Sequence, residues 1–151
     1  MRLFVYFAIS LLASSQLWAN AIAISCGELK GYSYYFEGGY VGKENSPFAP
    51  GFREDGYSTG DTTLVVDDKN NGIVTWKDSS GKFIDASSKG GNVNVIRADE
   101  SSFNWHITYP DGTIEVYSFS AISMKVLLYI NHIGNKLFPK NGLYEGSCSL
   151  L

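Results

Sequence analysis

A chain that works as a glycoside hydrolase needs two carboxyl groups about 5–10 Å apart, and Glu28, Glu37, Glu115 and Glu145 are the glutamates on hand. Nothing in their spacing singles out a pair. Metal chemistry has little more to draw on, because the two histidines, His106 and His132, stand far apart. His106 alternates with aromatic neighbours, which puts it on the solvated face of a strand. The run DDKNNGIVTWKD, Asp67 to Asp78, places Asp67, Asn71, Gly72 and Asp78 at positions 1, 5, 6 and 12 of a helix–loop–helix calcium loop, where 1, 5 and 12 are ligand positions and 6 is the turn glycine. Lys69 then falls where an oxygen ligand is required, and the flanks are strand-like, so the run reads as a hairpin turn. No G-x-S-x-G nucleophile elbow and no glycine-rich phosphate loop occurs. The expectation is a non-enzymatic protein with no cofactor and no metal.

Sulfur chemistry is more informative. The chain holds two cysteines, Cys26 and Cys148, at opposite ends. Ahead of Cys26, "MRLFVYFAISLLASSQLWANA" combines Arg2, an apolar run from Leu3 to Leu12, and the small-x-small motif Ala19 to Ala21. That is the layout of a removed signal peptide, residues 1–21. Its apolar run is too short for a membrane span, which takes roughly 20 residues, and no other stretch is long and apolar enough. Cleavage after Ala21 leaves 130 residues, 22–151, with 11 basic and 15 acidic side chains and a net charge of −4. One domain with its own core fits that length. The acidic balance and scattered Lys and Arg argue against nucleic acid, where affinity comes mainly from neutralising phosphates.

An exported chain meets an oxidising compartment in which disulfides persist. A Cys26–Cys148 bond would make neighbours of the two ends of the domain, since bonded α-carbons lie within about 7 Å. The alternative is a lipoprotein: "AISC", Ala23 to Cys26, loosely fits a lipidation site, and Cys26 would then be the anchor. The localisation expected is periplasmic or secreted, or membrane-tethered through Cys26 in the alternative.

The elements that must position these groups are strands. Short β-rich runs alternate with turn clusters: Leu29–Phe36, Thr62–Asp67, Ile73–Asp78, Phe83–Ser87, Val93–Ala98, Phe103–Tyr109, Thr113–Phe119, Met124–Asn131 and Leu143–Leu150. "YPDGT" at 109–113 is a hairpin signal, with Pro110 presetting φ and Gly112 free to take positive φ. "AISMKVLLYINHI" has enough apolar residues for a short helix, but its β-branched content favours a strand. The expected fold is all-β, a single antiparallel meander of 8–9 strands closed into an up-and-down barrel, with a β-sandwich as the alternative and the N- and C-terminal strands adjacent. Closure would remove exposed strand edges.

Alternation puts Phe103, Trp105, Ile107 and Tyr109 on one face, Val74 with Trp76, Val93 with Val95, and Tyr32, Tyr34 and Phe36 together. Residues 37–61 have no strand period and read as a long irregular loop. It carries Tyr40, Phe48, Phe52 and Tyr57, so it is an Ω-loop packed by its own aromatics, a lid over one barrel mouth or a partner-binding loop. Tyr, Phe and Trp make up 15% of the chain, and such side chains either fill small barrels or line binding sites. The candidate ligand site comprises Tyr32, Tyr34, Trp76 and Trp105 around a barrel mouth, gated by Phe48, Phe52 and Tyr57. The function expected is binding of a small, partly apolar ligand or a peptide segment. A periplasmic protein-interaction or inhibitor role is the alternative, with an envelope protein as partner.

The runs "CGELKGYSYYFEGGYVGKE", "EDGYSTGD", "YPDGTIEVYSF" and "YEGSCS" together resemble a group of small exported bacterial proteins of uncharacterised function. The resemblance rests on a Cys near each end, the Gly-Tyr-x-Tyr-Tyr run, and the hairpin holding Tyr109, Thr113, Glu115, Tyr117 and Phe119. It implies a bacterial, exported β-domain and brings no activity with it. The broad architecture is similar to lipocalin-like or avidin-like barrels, although the Gly-x-Trp expected near the first strand of a lipocalin is absent.

Overall fold

A computed structural model describes residues 21–57, 61–78, 80–99 and 101–151. The proposed signal segment lies outside the described residues except for Ala21. The described residues are all-β, with eleven strands and a single 3-10 turn, Ser87–Lys89.

The strands are β1 (Ile22–Cys26), β2 (Leu29–Tyr35), β3 (Gly51–Tyr57), β4 (Thr62–Val66), β5 (Gly72–Lys77), β6 (Phe83–Asp85), β7 (Asn92–Asp99), β8 (Ser102–Thr108), β9 (Ile114–Ser120), β10 (Lys125–Asn131) and β11 (Lys140–Leu150). Nine follow one another across an antiparallel sheet in the order β6-β5-β4-β1-β11-β10-β9-β8-β7. β7 to β11 form the meander that the turn spacing predicts. The segment Met124–Asn131 is a strand. The turns use the expected chemistry: Gly112 takes φ 84°, and Asp111 Oδ1 accepts the Thr113 N–H at 2.9 Å. Asp67 caps the β4–β5 hairpin by accepting the N–H groups of Lys69 and Asn71, both at 2.8 Å.

β11 organises the rest. β10 runs along one of its edges. The opposite edge is shared: Lys140 to Glu145 pair with β2, and Cys148 to Leu150 pair with β1. Cys26 and Cys148 stand directly opposite in that ladder and are disulfide-bonded, with α-carbons 4.0 Å apart. The terminal strands are therefore adjacent. From this junction the sheet branches, β1 leading to β4 and β2 to β3.

The sheet curls into a half-barrel. β5 and β7 approach each other, and the Val93 and Val95 side chains press over Gly72 where any Cβ would collide with them. No ladder joins these two strands. The three-residue β6 and the 3-10 turn carry the chain away before β7 begins, so side-chain packing takes the place of a hydrogen-bonded seam.

Two strands escaped the sequence pattern. β1 is short, at five residues. β3 lies inside 37–61, which is thus not irregular throughout. Its inward residues are Arg53, Asp55 and Tyr57, so polar side chains alternate with exposed ones and no apolar period appears. Residues 37–50 form the packed Ω-loop. Tyr40 N–H donates to Leu137 O at 2.9 Å and Gly42 N–H to Phe48 O at 2.8 Å. Phe138 stacks on Tyr40 and meets Phe48 edge-on.

The core fills the curl of the sheet. Trp105, Phe103, Ile107, Tyr117, Leu64 and Leu128 are among its fully covered side chains. Trp105 Nε1–H donates to Val65 O at 3.0 Å, which satisfies the indole inside.

Candidate functional site

The inner face is apolar on one side and polar on the other. On the polar side β3, β2 and β11 turn Asp55, Ser33, Tyr35, Lys140 and Tyr144 toward one another. One Asp55 oxygen accepts from Ser33 Oγ at 2.8 Å, Tyr35 OH at 2.9 Å, Tyr144 OH at 3.0 Å and Lys140 Nζ at 2.5 Å. Burial by itself would raise the Asp55 pKa, but the Lys140 and Ser33 hydrogen bonds, the Lys140 charge and Tyr35 outweigh it and leave it lowered. The Lys140 ammonium also sits over the rings of Tyr35 and Tyr144, 5.4 and 5.7 Å from their centroids.

A second cluster lies alongside, where Tyr57 packs against Tyr144 with ring centroids 5.9 Å apart. Glu115, on β9, is 3% exposed. Its Oε1 accepts from Tyr57 OH at 2.6 Å, and its Oε2 from Tyr117 OH at 3.2 Å and Tyr109 OH at 3.3 Å. Burial raises the Glu115 pKa against the pull of the three hydroxyls. Burial, then the neighbouring charges, push all three tyrosines up. Tyr57 comes from β3, so this contact ties the branch strand to the meander across the interior.

Every oxygen of the two carboxylates accepts at least one hydrogen bond. Asp55 Oδ1 accepts its neighbour Gly56 N–H at 2.9 Å, and its other oxygen is saturated. Both Glu115 oxygens are occupied. These clusters position strands. Glu28 and Glu145 are exposed partners of Lys30 and Lys125. Among the described residues, no three His, Cys, Asp or Glu side chains come together as a metal site.

The residues expected to share a ligand pocket do not share one. Trp105 is sealed in the core and Trp76 packs against it. Tyr57 points inside to Glu115. Phe48 belongs to the loop cluster with Phe138 and Tyr35. Tyr32, Tyr34 and Phe52 lie on the outer face, where Tyr34 meets Phe52 edge-on at 5.0 Å. The assignment of Tyr32, Tyr34 and Phe36 to one face is correct, but Leu29, Ser33 and Tyr35 occupy the buried one. The mouth pocket gated by residues 37–61 is therefore replaced by a filled interior.

An open groove of about 750 Å³ runs over the outer face instead. Tyr32, Leu127 and Leu143 give it apolar surface, while Glu28, Lys30, Glu54 and Glu145 supply charge. Leu127 and Leu143 remain about half exposed. In the chain these two look like ordinary strand hydrophobes. Their parity against Leu128 and Tyr144, the buried neighbours, was the available signal for their outward position. A smaller cavity of about 450 Å³ sits within the Ω-loop between Tyr40, Phe48 and Phe138.

No protein-family description, curated protein or solved structure matches this chain.

Proposed function

We propose that the chain is an exported, non-enzymatic binding domain whose ligand site is the outer groove across β3, β2, β11 and β10. It takes a partly apolar small molecule or a peptide segment. One observation carries this reading: the outer face keeps Tyr32, Leu127 and Leu143 exposed in a groove of about 750 Å³, while the interior is filled by Trp105, Tyr117 and Tyr144. Binding sites combine apolar contact area with a few placed polar groups, and the groove has both. A disulfide suits an oxidising compartment outside the cytoplasm, and it occupies the sulfur that lipidation of Cys26 would need. No described helix is long and apolar enough to cross a membrane. The signal-like leader supports reading the domain as periplasmic or secreted.

The test is a nuclear magnetic resonance titration of the labelled domain with the low-molecular-weight and peptide fractions of a bacterial envelope extract. Shifts clustered at the amides of Lys30, Tyr32, Glu54, Leu127 and Leu143, abolished by Leu143→Asp, are the expected result. Shifts confined to the Ω-loop, or none with any fraction, would dismiss the groove.

A further inference from the structure

The outer face is polarised along one rung of the sheet, which lines the groove with Glu54, Tyr32 and Leu143 and ends beside it at Tyr129. Register places Glu54 on β3 beside Tyr32 on β2, Tyr32 beside Leu143 on β11, and Leu143 beside Tyr129 on β10. Tyr32, Leu143 and Tyr129 are 58%, 50% and 40% exposed. A row of four strands spans three inter-strand spacings, about 14 Å, which four extended residues cover at roughly 3.3 Å each. It begins with a carboxylate and continues over an aromatic ring to aliphatic and aromatic surface.

The charges around the row are matched except at that carboxylate. Lys30 pairs with Glu28 at 3.0 Å, Lys125 with Glu145 at 3.4 Å, and Lys140 with Asp55. Glu54 receives the Tyr32 hydroxyl at 3.3 Å, and no Lys or Arg among the described residues is within ion-pair distance of it. A cation placed there meets a carboxylate and the face of an exposed tyrosine together.

We infer that the occupant is an extended peptide segment with one basic residue followed by apolar ones. The basic group docks at Glu54 and Tyr32, and the apolar side chains cover Leu143 and Tyr129. This rests on the groove being the binding site. A peptide fits better than an alkyl amine because the adjacent rung interleaves polar groups: Gly56, Lys30, Glu145 and Leu127 stand in register. A peptide backbone supplies partners for Lys30 and Glu145, whereas a hydrocarbon chain would cover polar groups without replacing their hydrogen bonds.

The experiment titrates the full domain with three capped tetrapeptides that differ only in the first residue, Lys, Gln or Glu, followed by Leu-Ala-Leu, and with octylamine. The Lys peptide is expected to bind roughly three- to five-fold tighter than the Gln peptide, as for an exposed ion pair. That margin should shrink with added salt and vanish in Glu54→Gln, which keeps its shape and spares the core. Equal binding of all three peptides at the groove would remove the basic residue while leaving the groove standing. Octylamine binding where the Lys peptide does not would replace the peptide by a lipid-like amine. No perturbation of the groove by any probe would overturn the site along with its occupant.

Discussion

Asp55 and Glu115 are two carboxylates a strand apart in environment, and the fold treats them oppositely. Asp55 keeps its charge because Lys140 and three hydroxyls meet one of its oxygens. Glu115 is desolvated among three phenols, with no cation among its hydrogen-bond partners. The consequence for pH is a pair of opposed slopes. Asp55 has a lowered folded pKa, so its stabilisation is present above its unfolded value of about 3.9 and is lost as pH falls through the folded one. Glu115 has a raised folded pKa, so its contribution is full below about 4.3 and is lost as pH rises through the folded value. Urea unfolding over a pH series should show Asp55→Asn flattening the acid limb of the stability curve. Glu115→Gln should remove a decline on the other side. A Glu115→Gln curve parallel to that of the parent protein would contradict this assignment.

The elements depend on close approach as much as on side chains. β2 and β11 are packed so tightly that a Cβ at Gly31 would run into the backbone of Leu143 and Tyr144. The collision is with backbone, so no rotamer change relieves it. Gly31→Ala should cost about 3 kcal/mol, the upper end of the range for overpacked cores, by forcing β2 away from β11. Denaturant unfolding and the loss of slowly exchanging amides in β2 and β3 would register it. β1 and β4 pair elsewhere on the sheet, and their amides should stay protected in any population that remains folded. This separates an element-scale failure from a global one.

For the molecule as a whole, the disulfide sits where the sheet branches. It fixes β1 to the last residues of β11 at the point where β11 leaves β2. Its sequence separation is 122 residues. Loops of that size give roughly 4–5 kcal/mol in chain-entropy treatments, and native bonds in small exported domains about 2–5 kcal/mol. Cys26→Ser with Cys148→Ser should lower stability by an amount in that range, read as a fall in denaturation midpoint, with a steeper slope because the unlinked unfolded chain exposes more surface. The fold as such does not depend on the bond, because the flanking ladders β1–β4 and β10–β11 remain. A double variant that is as stable as the oxidised parent would show that the ladder suffices.

The chain by itself determined the class of fold and nine of its strands, because period-two alternation and turn chemistry are local. Pro110, Gly112 and Asp67 do their work within four or five residues, and the burial of Phe103, Trp105 and Ile107 follows from simple parity. The neighbouring ends follow from pairing the two cysteines, Cys26 and Cys148. Tertiary structure alone decided the rest. β3 was hidden because its inner face is polar: Arg53 reaches a loop carbonyl, Asp55 takes partners from β2 and β11, and Tyr57 donates to Glu115 on β9. The face of β2 that holds Tyr32 and Tyr34 could not be oriented from the sequence, since both of its faces carry aromatics and only the close pairing with β11 buries Tyr35 instead. The groove exists because four strands distant in the chain come into register, and a relation of that kind is long-range by nature.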